Sequence, residues 1–317
     1  MSQTEQSRPA VRYLAIDPSE AGQRIDNFLL RILKGVPRSY IYRILRKGEV
    51  RVNKGRISAR YRLQAGDLVR IPPVRTAERR PPRPDDRLLG RLGQSILFED
   101  ARFLAIDKPS GLAVHGGSGL KFGLIEALRA LRPEERFLEL VHRLDRDTSG
   151  CLLIAKRRSA LRILHEMLRE NAMDKRYLAL LAGSWPEQRV EVDAPLLKNT
   201  LKSGERVVRV DAAGKRAVTR FRVLQRFPGA MLIEARLLTG RTHQIRVHAA
   251  HLGTPILGDE KYGDTGLNRE YRQQGLKRLF LHAASLRFRW PETNQDQFIQ
   301  APLEPTLERV LERLENT

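Results

Sequence analysis

A run of histidine, arginine and aspartate side chains leads directly into an apolar segment at residues 141–156, VHRLDRDTSGCLLIAK. The cationic or imidazole groups in this run are His142, Arg143 and Arg146. They would surround Asp145, and nearby positive charge keeps a carboxylate ionised. An ionised, well-held carboxylate can act as a nucleophile or as a general base. The residues alone equally fit a solvated turn in which Asp147 or Thr148 caps the next element, so both interpretations stay open.

A second segment of interest is TGRTHQIRVH, residues 239–248, which we predict to be helical up to a stop at Gly253. The apolar face of this helix would consist of Ile245, Ala249 and Leu252. Arg246 flanks that face, and a guanidinium at the edge of a core needs a carboxylate partner. At about 100° per residue, His248 would lie about 140° and His251 about 80° from His243 around the helix, which makes a poor chelate, so we predict no metal site.

The composition indicates a polyanionic partner. The chain has 317 residues with 58 Lys and Arg against 37 Asp and Glu, a formal net charge of +21. Such a surplus favours nucleic acid, while 41% hydrophobic residues exclude a disordered basic tail. Cys151 is the single cysteine, which excludes a disulfide framework. With no apolar signal in residues 1–10 and no long apolar run, we expect a cytoplasmic protein without membrane spans.

A proline- and arginine-rich segment, PPVRTAERRPPRP at residues 72–84, predicts an extended linker between two domains. We expect a small domain over residues 20–75, the linker over 76–90 and a larger domain over 91–317. Residues 12–91 carry 20 Lys and Arg against 8 Asp and Glu, so the small domain is especially basic.

The small domain is predicted to contain two helices followed by short strands. The helices span roughly 24–33 and 40–47, with Ser39 as N-cap and Gly48 as C-terminal stop of the second. On that second helix the side chains of Ile41, Ile44 and Leu45 share one face with Tyr40. Short strands are predicted near 49–53 and 68–71.

The larger domain mixes helices with strands of alternating polarity. Two strands are indicated by the apolar series Thr219, Phe221, Val223 and Leu286, Phe288, Trp290. A helix with Leu161, Leu164 and Leu168 on one face is predicted to start at a Ser159 cap. Because strands and helices do not alternate strictly, we expect an α+β fold with a mixed, mainly antiparallel sheet.

Residues 24–71, RIDNFLLRILKGVPRSYIYRILRKGEVRVNKGRISARYRLQAGDLVRI, resemble the αL RNA-binding domain of a ribosomal small-subunit protein and of many RNA-modifying enzymes. That domain uses the basic face of a helix on RNA. The resemblance therefore implies RNA contacts by Arg38, Arg43, Arg46 and Lys47.

The larger domain resembles the RluA-type pseudouridine synthases. Their motifs are matched, in order, by DKPSG at 107–111, HRLD at 142–145 with TSG at 148–150, KRYLA at 175–179 and the segment at 239–248. The resemblance implies the essential aspartate at Asp145, an active-site tyrosine at Tyr177 and Arg246 as the partner of Asp145. It implies a base-displacing role for Arg143, and we expect Arg241 to meet RNA phosphate or to fix its loop.

The resemblance extends over about residues 20–300 and is strongest to members that act on large-subunit ribosomal RNA. It implies isomerisation of uridine to pseudouridine in bacterial 23S RNA by a protein that needs no cofactor, and we expect a monomer. The alternative that composition leaves open is a non-catalytic RNA-binding factor in ribosome assembly, because phosphate contacts alone explain the charge.

Overall fold

The computed structural model describes residues 10–33, 35–74, 84–116, 122–200 and 206–316. The chain divides into two compact units, residues 1–81 and 82–317. Most of the predicted linker, residues 75–83, lies outside the described residues. A helix begins at Asp86, so the last five positions of the segment predicted as linker, 86–90, are helical.

The N-terminal unit is a small α+β domain. Its elements are β1 (Arg12–Ala15), a 3-10 turn (Pro18–Glu20), α1 (Ile25–Ile32), α2 (Arg38–Arg46), β2 (Arg51–Val52), β3 (Gly55–Arg56) and β4 (Leu68–Ile71). The strands form an antiparallel sheet in the order β1-β4-β2-β3. Ile41, Ile44 and Leu45 of α2 are buried with Phe28 of α1, as the apolar spacing predicts.

The start of α2 differs from the sequence prediction. The helix begins at Arg38 with Pro37 as its N-cap, and no side chain caps it, so the predicted Ser39 cap is wrong. Proline fixes an extended-compatible φ without needing a donor, which suits the residue just outside a helix. The predicted stop holds, because Gly48 has φ +71°.

The C-terminal unit is larger. Its elements in chain order are α3 (Asp86–Gln94), β5 (Ile96–Glu99), β6 (Phe103–Lys108), α4 (Leu124–Leu131), β7 (Glu139–Leu140), β8 (Ser149–Ala155), α5 (Arg158–Arg169), β9 (Asp174–Ala182), β10 (Arg189–Asp193), β11 (Leu196–Thr200), β12 (Arg206–Val210), β13 (Val218–Phe227), β14 (Ala230–Leu237), α6 (Gln244–His251), α7 (Thr265–Gln273), β15 (Leu281–Trp290), β16 (Gln295–Gln300) and α8 (Pro305–Glu315).

A large mixed sheet organises this unit. Its main order is β10-β13-β14-β9-β15-β8-β6-β5, with β16 paired to β15 and β7 to β8. The β8–β15 pair is parallel, and the other pairs of this sheet are antiparallel. The predicted α+β class with a mixed, mainly antiparallel sheet is therefore confirmed.

Strand β8 explains why the segment after the charged run is apolar at every position. Leu152 and Ile154 belong to one hydrophobic cluster, whereas Cys151, Leu153 and Ala155 belong to another. Successive side chains of a strand point to opposite faces, so a strand buried on both faces needs no polar residues. The loop before β8 is thereby attached to the most buried part of the sheet.

Two further helix predictions need correction. Helix α5 begins at Arg158 with Arg157 as N-cap, so Ser159 lies inside the helix. Helix α6 begins only at Gln244. Arg241 and His243 therefore lie outside the helix, and the prediction that they are helical is wrong. Among the described residues no helix is both long and apolar enough to cross a membrane.

Candidate active site

The loop that carries Asp145 is held in a fixed shape by the first predicted motif. The Nζ of Lys108 donates to the carbonyl oxygens of Pro109, Leu112 and Arg146 at 2.8, 2.8 and 2.9 Å. Gly111, at φ +82°, donates its N–H to the same Arg146 carbonyl at 2.9 Å. Burial lowers the pKa of the wholly buried Lys108 to about 7. The two loops therefore form one hydrogen-bonded unit.

The loop enters β8 through a close crossing of two strands. Gly150 has φ +105°, and a Cβ there would lie 2.3 Å from the carbonyl oxygen of Ala283 on β15. Only glycine accepts both the backbone conformation and the contact. The neighbouring Ser149 hydroxyl lies 2.9 Å from Nδ1 of His282 and accepts from Arg278 at 2.7 Å. This crossing fixes where the loop leaves the sheet.

Asp145 lies at the meeting of two cavities. One, of about 580 Å³, is also lined by Tyr177 and Ile245, and the other, of about 1320 Å³, by Lys261 and Arg278. The Asp145 side chain is 18% exposed, so it reaches solvent from an otherwise enclosed position. Among the described residues the nitrogen-bearing side chains that face it are Arg246, with Nη1 3.5 Å from Oδ2, and His243, with Nε2 3.8 Å from Oδ1.

The surroundings of Asp145 differ from those expected from its sequence neighbours. His142 accepts the backbone N–H of Leu153 at 3.2 Å, and burial lowers its pKa to about 4. Arg146 is paired with Asp147 at 3.0 Å on the surface. The positive environment of Asp145 thus comes from the distant segment around Arg246, which a local reading of the charged run missed.

Arg246 has a second and closer carboxylate partner. Its Nε and Nη2 donate to Oδ2 and Oδ1 of Asp259, both at 2.7 Å, and Asp259 is 1% exposed. Asp259 also accepts from the backbone of Lys261 and Tyr262. Burial raises the pKa of Asp259, but the hydrogen bond and charge of Arg246, together with the N–H groups of Tyr262 and Lys261, outweigh burial and hold that pKa below its usual value. A bidentate pair of this kind fixes the guanidinium plane.

The segment before α6 is a loop because its polar side chains bond to the loop itself. Gln244 accepts from the Thr239 hydroxyl and the Arg241 N–H at 2.8 and 3.0 Å, and it donates to Thr219 at 2.9 Å. His243 takes the left-handed conformation, with φ 55° and ψ 22°, and its side chain does not cap the helix. The imidazole is instead directed to Asp145 and to Tyr262, whose hydroxyl lies 2.7 Å from Nδ1.

Tyr177 lies in the middle of the sheet, on β9, between Ala235 of β14 and Ala283 of β15. The small neighbours leave room for its ring, which is 8% exposed at the wall of the smaller cavity. Burial raises the pKa of its hydroxyl above the usual value, and the charge of Asp145 adds to the shift. The predicted site residues Asp145, Tyr177 and Arg246 are thus brought together by three separate elements.

The predicted RNA-contacting residues lie on the surface. Arg143 is exposed and borders both cavities, and Arg241 is exposed with its Nε donating to the Arg216 carbonyl at 3.0 Å. The basic residues of α2 that are exposed are Arg38, Arg43 and Arg46, and the exposed Lys47 follows as the C-cap of the helix. The Arg43 guanidinium lies 4.4 Å from the centroid of the Tyr40 ring.

His243, Asp259 and Tyr262 were not among the predicted site residues. The sequence did indicate that Arg246, at the edge of a core, needs a buried carboxylate partner. It did not indicate which carboxylate of the chain that partner is. Asp259 follows the short apolar pair Ile256–Leu257 and carries no local mark of its role. In the part of the chain that the structure describes, no group of three or more His, Cys, Asp or Glu residues is arranged to hold a metal ion.

Comparison with known proteins assigns the class. The family model of RNA pseudouridylate synthase matches residues 102–251, and that of the S4 domain matches residues 23–69. The ribosomal large subunit pseudouridine synthase C of Pasteurella multocida (strain Pm70) is 59% identical over 304 residues, 95% of this chain and 93% of that protein. The protein of the same name from Escherichia coli (strain K12) is 58% identical, over 97% and 98%.

The chain therefore belongs to the RNA pseudouridylate synthase family, and within it to the ribosomal large subunit pseudouridine synthase C type with an S4 domain. It is an isomerase that acts on RNA. The solved structure of human RNA pseudouridylate synthase domain containing 4 is 28% identical, with a TM-score of 0.61 over 72% of this chain and 96% of that one.

Proposed function

We propose that the chain converts specific uridines of bacterial large-subunit (23S) ribosomal RNA to pseudouridine, with Asp145 as the catalytic carboxylate. The names of its near-full-length relatives support the substrate. The position of Asp145, where two cavities meet and within 3.5 Å of Arg246, carries the assignment of the residue. The S4 domain and the net charge of +21 support an RNA partner.

The reaction breaks the N1–C1′ bond of uridine, turns the uracil and joins C5 to C1′. The proton lost from C5 is balanced by one gained at N1, so no atoms are taken from or given to another molecule. Asp145 has to reach the ribose or the base, and a stacked uridine is out of its reach. Unstacking costs about a few kcal/mol, which contacts to the RNA offset.

The smaller cavity suits the unstacked uridine because it combines apolar and polar walls. The largely buried Tyr177 ring lines this cavity and offers a surface on which a uracil ring can stack, and Asp145 lines the same cavity. Arg246, with Nη1 3.5 Å from Oδ2, holds the carboxylate in its orientation.

The exposed arginines complete the proposal. Arg143 borders both cavities, so it is placed to fill the gap that the displaced base leaves in the RNA. Arg241 and the α2 residues Arg38, Arg43, Arg46 and Lys47 contact phosphates. The domain limits 20–75, 76–90 and 91–317, a monomeric state and a cytoplasmic location belong to the same proposal.

Asp145→Asn against Asp147→Asn tests the central assignment. Asparagine has almost the shape of aspartate but cannot be an anionic nucleophile or base. Asp145→Asn should form no pseudouridine while folding and RNA binding persist. Asp147 is an exposed partner of Arg146 two residues away, so Asp147→Asn should keep most activity and cost about 1 kcal/mol of stability at most.

The measurement is pseudouridine content of large-subunit ribosomal RNA after incubation with each variant at equal folded concentration. Product from Asp145→Asn at the wild-type rate would remove Asp145 from the chemistry. Mapping of pseudouridines in ribosomal RNA from a deletion strain tests the substrate separately. An unchanged map would contradict the proposed RNA.

A further inference from the structure

Three residues that the sequence did not assign to the site, His243, Asp259 and Tyr262, form a connected frame beside Asp145 and Arg246. His243 faces Asp145 with Nε2 and Tyr262 with Nδ1. Tyr262 places its ring 5.0 Å from the Arg246 guanidinium, and Asp259 fixes that guanidinium from the other side. The two oxygens of Asp145 are therefore met by two different nitrogens, each held by a residue outside the recognised motifs.

The hydrogen bonds of Tyr262 determine which tautomer His243 adopts. The Tyr262 oxygen accepts the backbone N–H of Val208 on β12 at 3.1 Å. Among the residues that the structure describes, Nδ1 of His243, 2.7 Å from the Tyr262 oxygen, is the hydrogen-bond partner of this hydroxyl besides Val208. Since the Val208 N–H already occupies one lone pair of the oxygen, the arrangement that also uses the hydroxyl proton is the one in which Tyr262 donates to Nδ1. Nδ1 then carries a lone pair, and the ring proton of neutral His243 is on Nε2.

Burial is the main reason why His243 favours its neutral form. Burial lowers the pKa of His243, and the cations Arg246 and Lys261 lower it further, against the opposing effect of Asp145 and Asp259. Neutral imidazole has one N–H, so its tautomer decides what Asp145 meets. An Nε2–H presents positive charge to Oδ1 at 3.8 Å, whereas the other tautomer presents a lone pair to the carboxylate.

We propose that Tyr262 is a positioning residue that fixes His243 as its Nε2–H tautomer, so that His243 and Arg246 each present an N–H to one oxygen of Asp145. The left-handed backbone of His243 supports this, because such a conformation costs free energy in a non-glycine residue and is kept where the structure requires it. The proposal rests on the proposed function of Asp145, since it concerns how that carboxylate is held.

Tyr262→Phe tests the role of the hydroxyl alone, because phenylalanine keeps a ring beside Arg246. We expect kcat to fall roughly tenfold to a hundredfold, the scale seen when a group that orients a functional imidazole is lost, with little change in KM. Tyr271→Phe removes a buried tyrosine hydroxyl from α7, outside the site, and should keep wild-type turnover. Wild-type turnover in Tyr262→Phe would overturn the proposal.

The tautomer itself is read from the imidazole nitrogen shifts in long-range proton–nitrogen NMR spectra of the full chain at pH 8. The His243 signals, identified by their loss in His243→Gln, should show a protonated Nε2 and an unprotonated Nδ1 in the wild type. In Tyr262→Phe they should shift toward a mixture. A protonated Nδ1 in the wild type would refute the proposal whatever the activities are.

A double-mutant cycle separates positioning from simple damage. Glutamine at 243 offers a side-chain N–H without a tautomer to select, so Tyr262→Phe should cost much less in a His243→Gln background than in the wild type. Equal losses in both backgrounds would mean that the hydroxyl acts by another route. Asp145→Asn with full activity would instead defeat the proposed function, and the NMR result would remain informative about His243.

Discussion

Arg246 divides its guanidinium between two carboxylates. Asp259 accepts hydrogen bonds from Nε and Nη2, each at 2.7 Å, whereas the Oδ2 of Asp145 lies 3.5 Å from Nη1. The closer pair is almost fully buried, and the looser one faces the cavities. Asp259 therefore holds the arginine, which leaves one N–H directed at Asp145 without neutralising that carboxylate completely. The carboxylate that holds the arginine is therefore distinct from the carboxylate that we propose as catalytic.

Replacement of Arg246 should affect both stability and turnover. Arg246→Ala leaves the buried Asp259 unpaired and should lower the free energy of unfolding by about 3–5 kcal/mol. Arg246→Lys keeps the charge but loses the two-pronged contact, so turnover should fall strongly with a smaller loss of stability. Urea unfolding and initial rates of pseudouridine formation measure the two effects.

The control is Arg222→Lys. Arg222 on β13 is half-exposed and pairs with Glu234 on β14 at 3.2 Å. Its stability should stay within about 0.5 kcal/mol of the wild type. Full activity in Arg246→Ala would show that Asp145 does not depend on this arginine.

Two aspartates of the β5–β6 hairpin should respond oppositely to the same substitution. Burial, together with Glu304, raises the pKa of Asp107 to about 6, and its Oδ1 has no hydrogen-bond partner among the described residues. Because this pKa is higher in the folded than in the unfolded chain, the contribution of Asp107 to the free energy of unfolding is fully present below about pH 4. It is lost as the pH rises through about 6. Asp107→Asn should remove that loss and be more stable than the wild type at pH 7.5.

Asp100 supplies the contrasting case. Burial raises its pKa, but the N–H groups of Phe103 and Arg102 and the Arg102 side chain outweigh this, so the pKa lies below the usual value. Its stabilising effect is present above about pH 4 and is lost as pH falls. Asp100→Asn should therefore be less stable than the wild type at pH 7.5. Thermal unfolding from pH 3 to 8 would contradict the argument if both variants shifted in the same direction.

The sequence predicted the sheet better than it predicted the helix starts. Alternation at 219, 221 and 223 lies within β13, and β4 has the predicted limits. Ser39 and Ser159 were chosen as caps by residue preference, which amounts to about 1 kcal/mol and is easily overridden. The loop before α6 was predicted to be helical because its actual shape depends on a distant contact, the hydrogen bond from Gln244 to Thr219 on β13.

The site residues that lie in recognised motifs could be predicted from the sequence, whereas those contributed by other segments of the chain could not. Asp145, Tyr177 and Arg246 were named from the resemblance, and the structure brings them together around one cavity. Asp259 was not predicted because it lies in the segment after α6, and no local sequence pattern indicates that this segment brings it to Arg246. His243 was considered only as a metal ligand on a helix, and its left-handed backbone is not readable from spacing.

Gly150→Ala should prevent normal folding of the catalytic unit. The added Cβ would lie 2.3 Å from the Ala283 carbonyl oxygen, and the φ of +105° is unfavourable for alanine. The expected loss exceeds about 3 kcal/mol because strands β8 and β15 would have to separate. Gly90→Ala, inside α3 with open space at its Cβ, should instead stabilise by about 0.5–1 kcal/mol. Equal stability of the two variants in urea unfolding would contradict the assigned crossing.

The basic face of α2 should contribute affinity for RNA and not chemistry. A fourfold alanine variant removes the exposed residues Arg38, Arg43, Arg46 and Lys47. Each phosphate contact releases counterions, so the slope of log K against log salt should become shallower by about 3 if all four make contacts. Turnover on saturating RNA should largely survive, because Asp145 and its partners belong to the other unit.

A matched variant distinguishes this face from charge in general. It replaces four exposed arginines of the same unit that lie off α2: Arg12, Arg51, Arg56 and Arg60. The two variants lose the same net charge, so long-range attraction falls equally, but only the α2 variant loses direct phosphate contacts. Its salt slope should therefore change and that of the matched variant should not. Equal slopes, measured by filter binding from 50 to roughly 200 mM salt, would assign the RNA attraction to the charge of the whole unit and remove the α2 face from the interface.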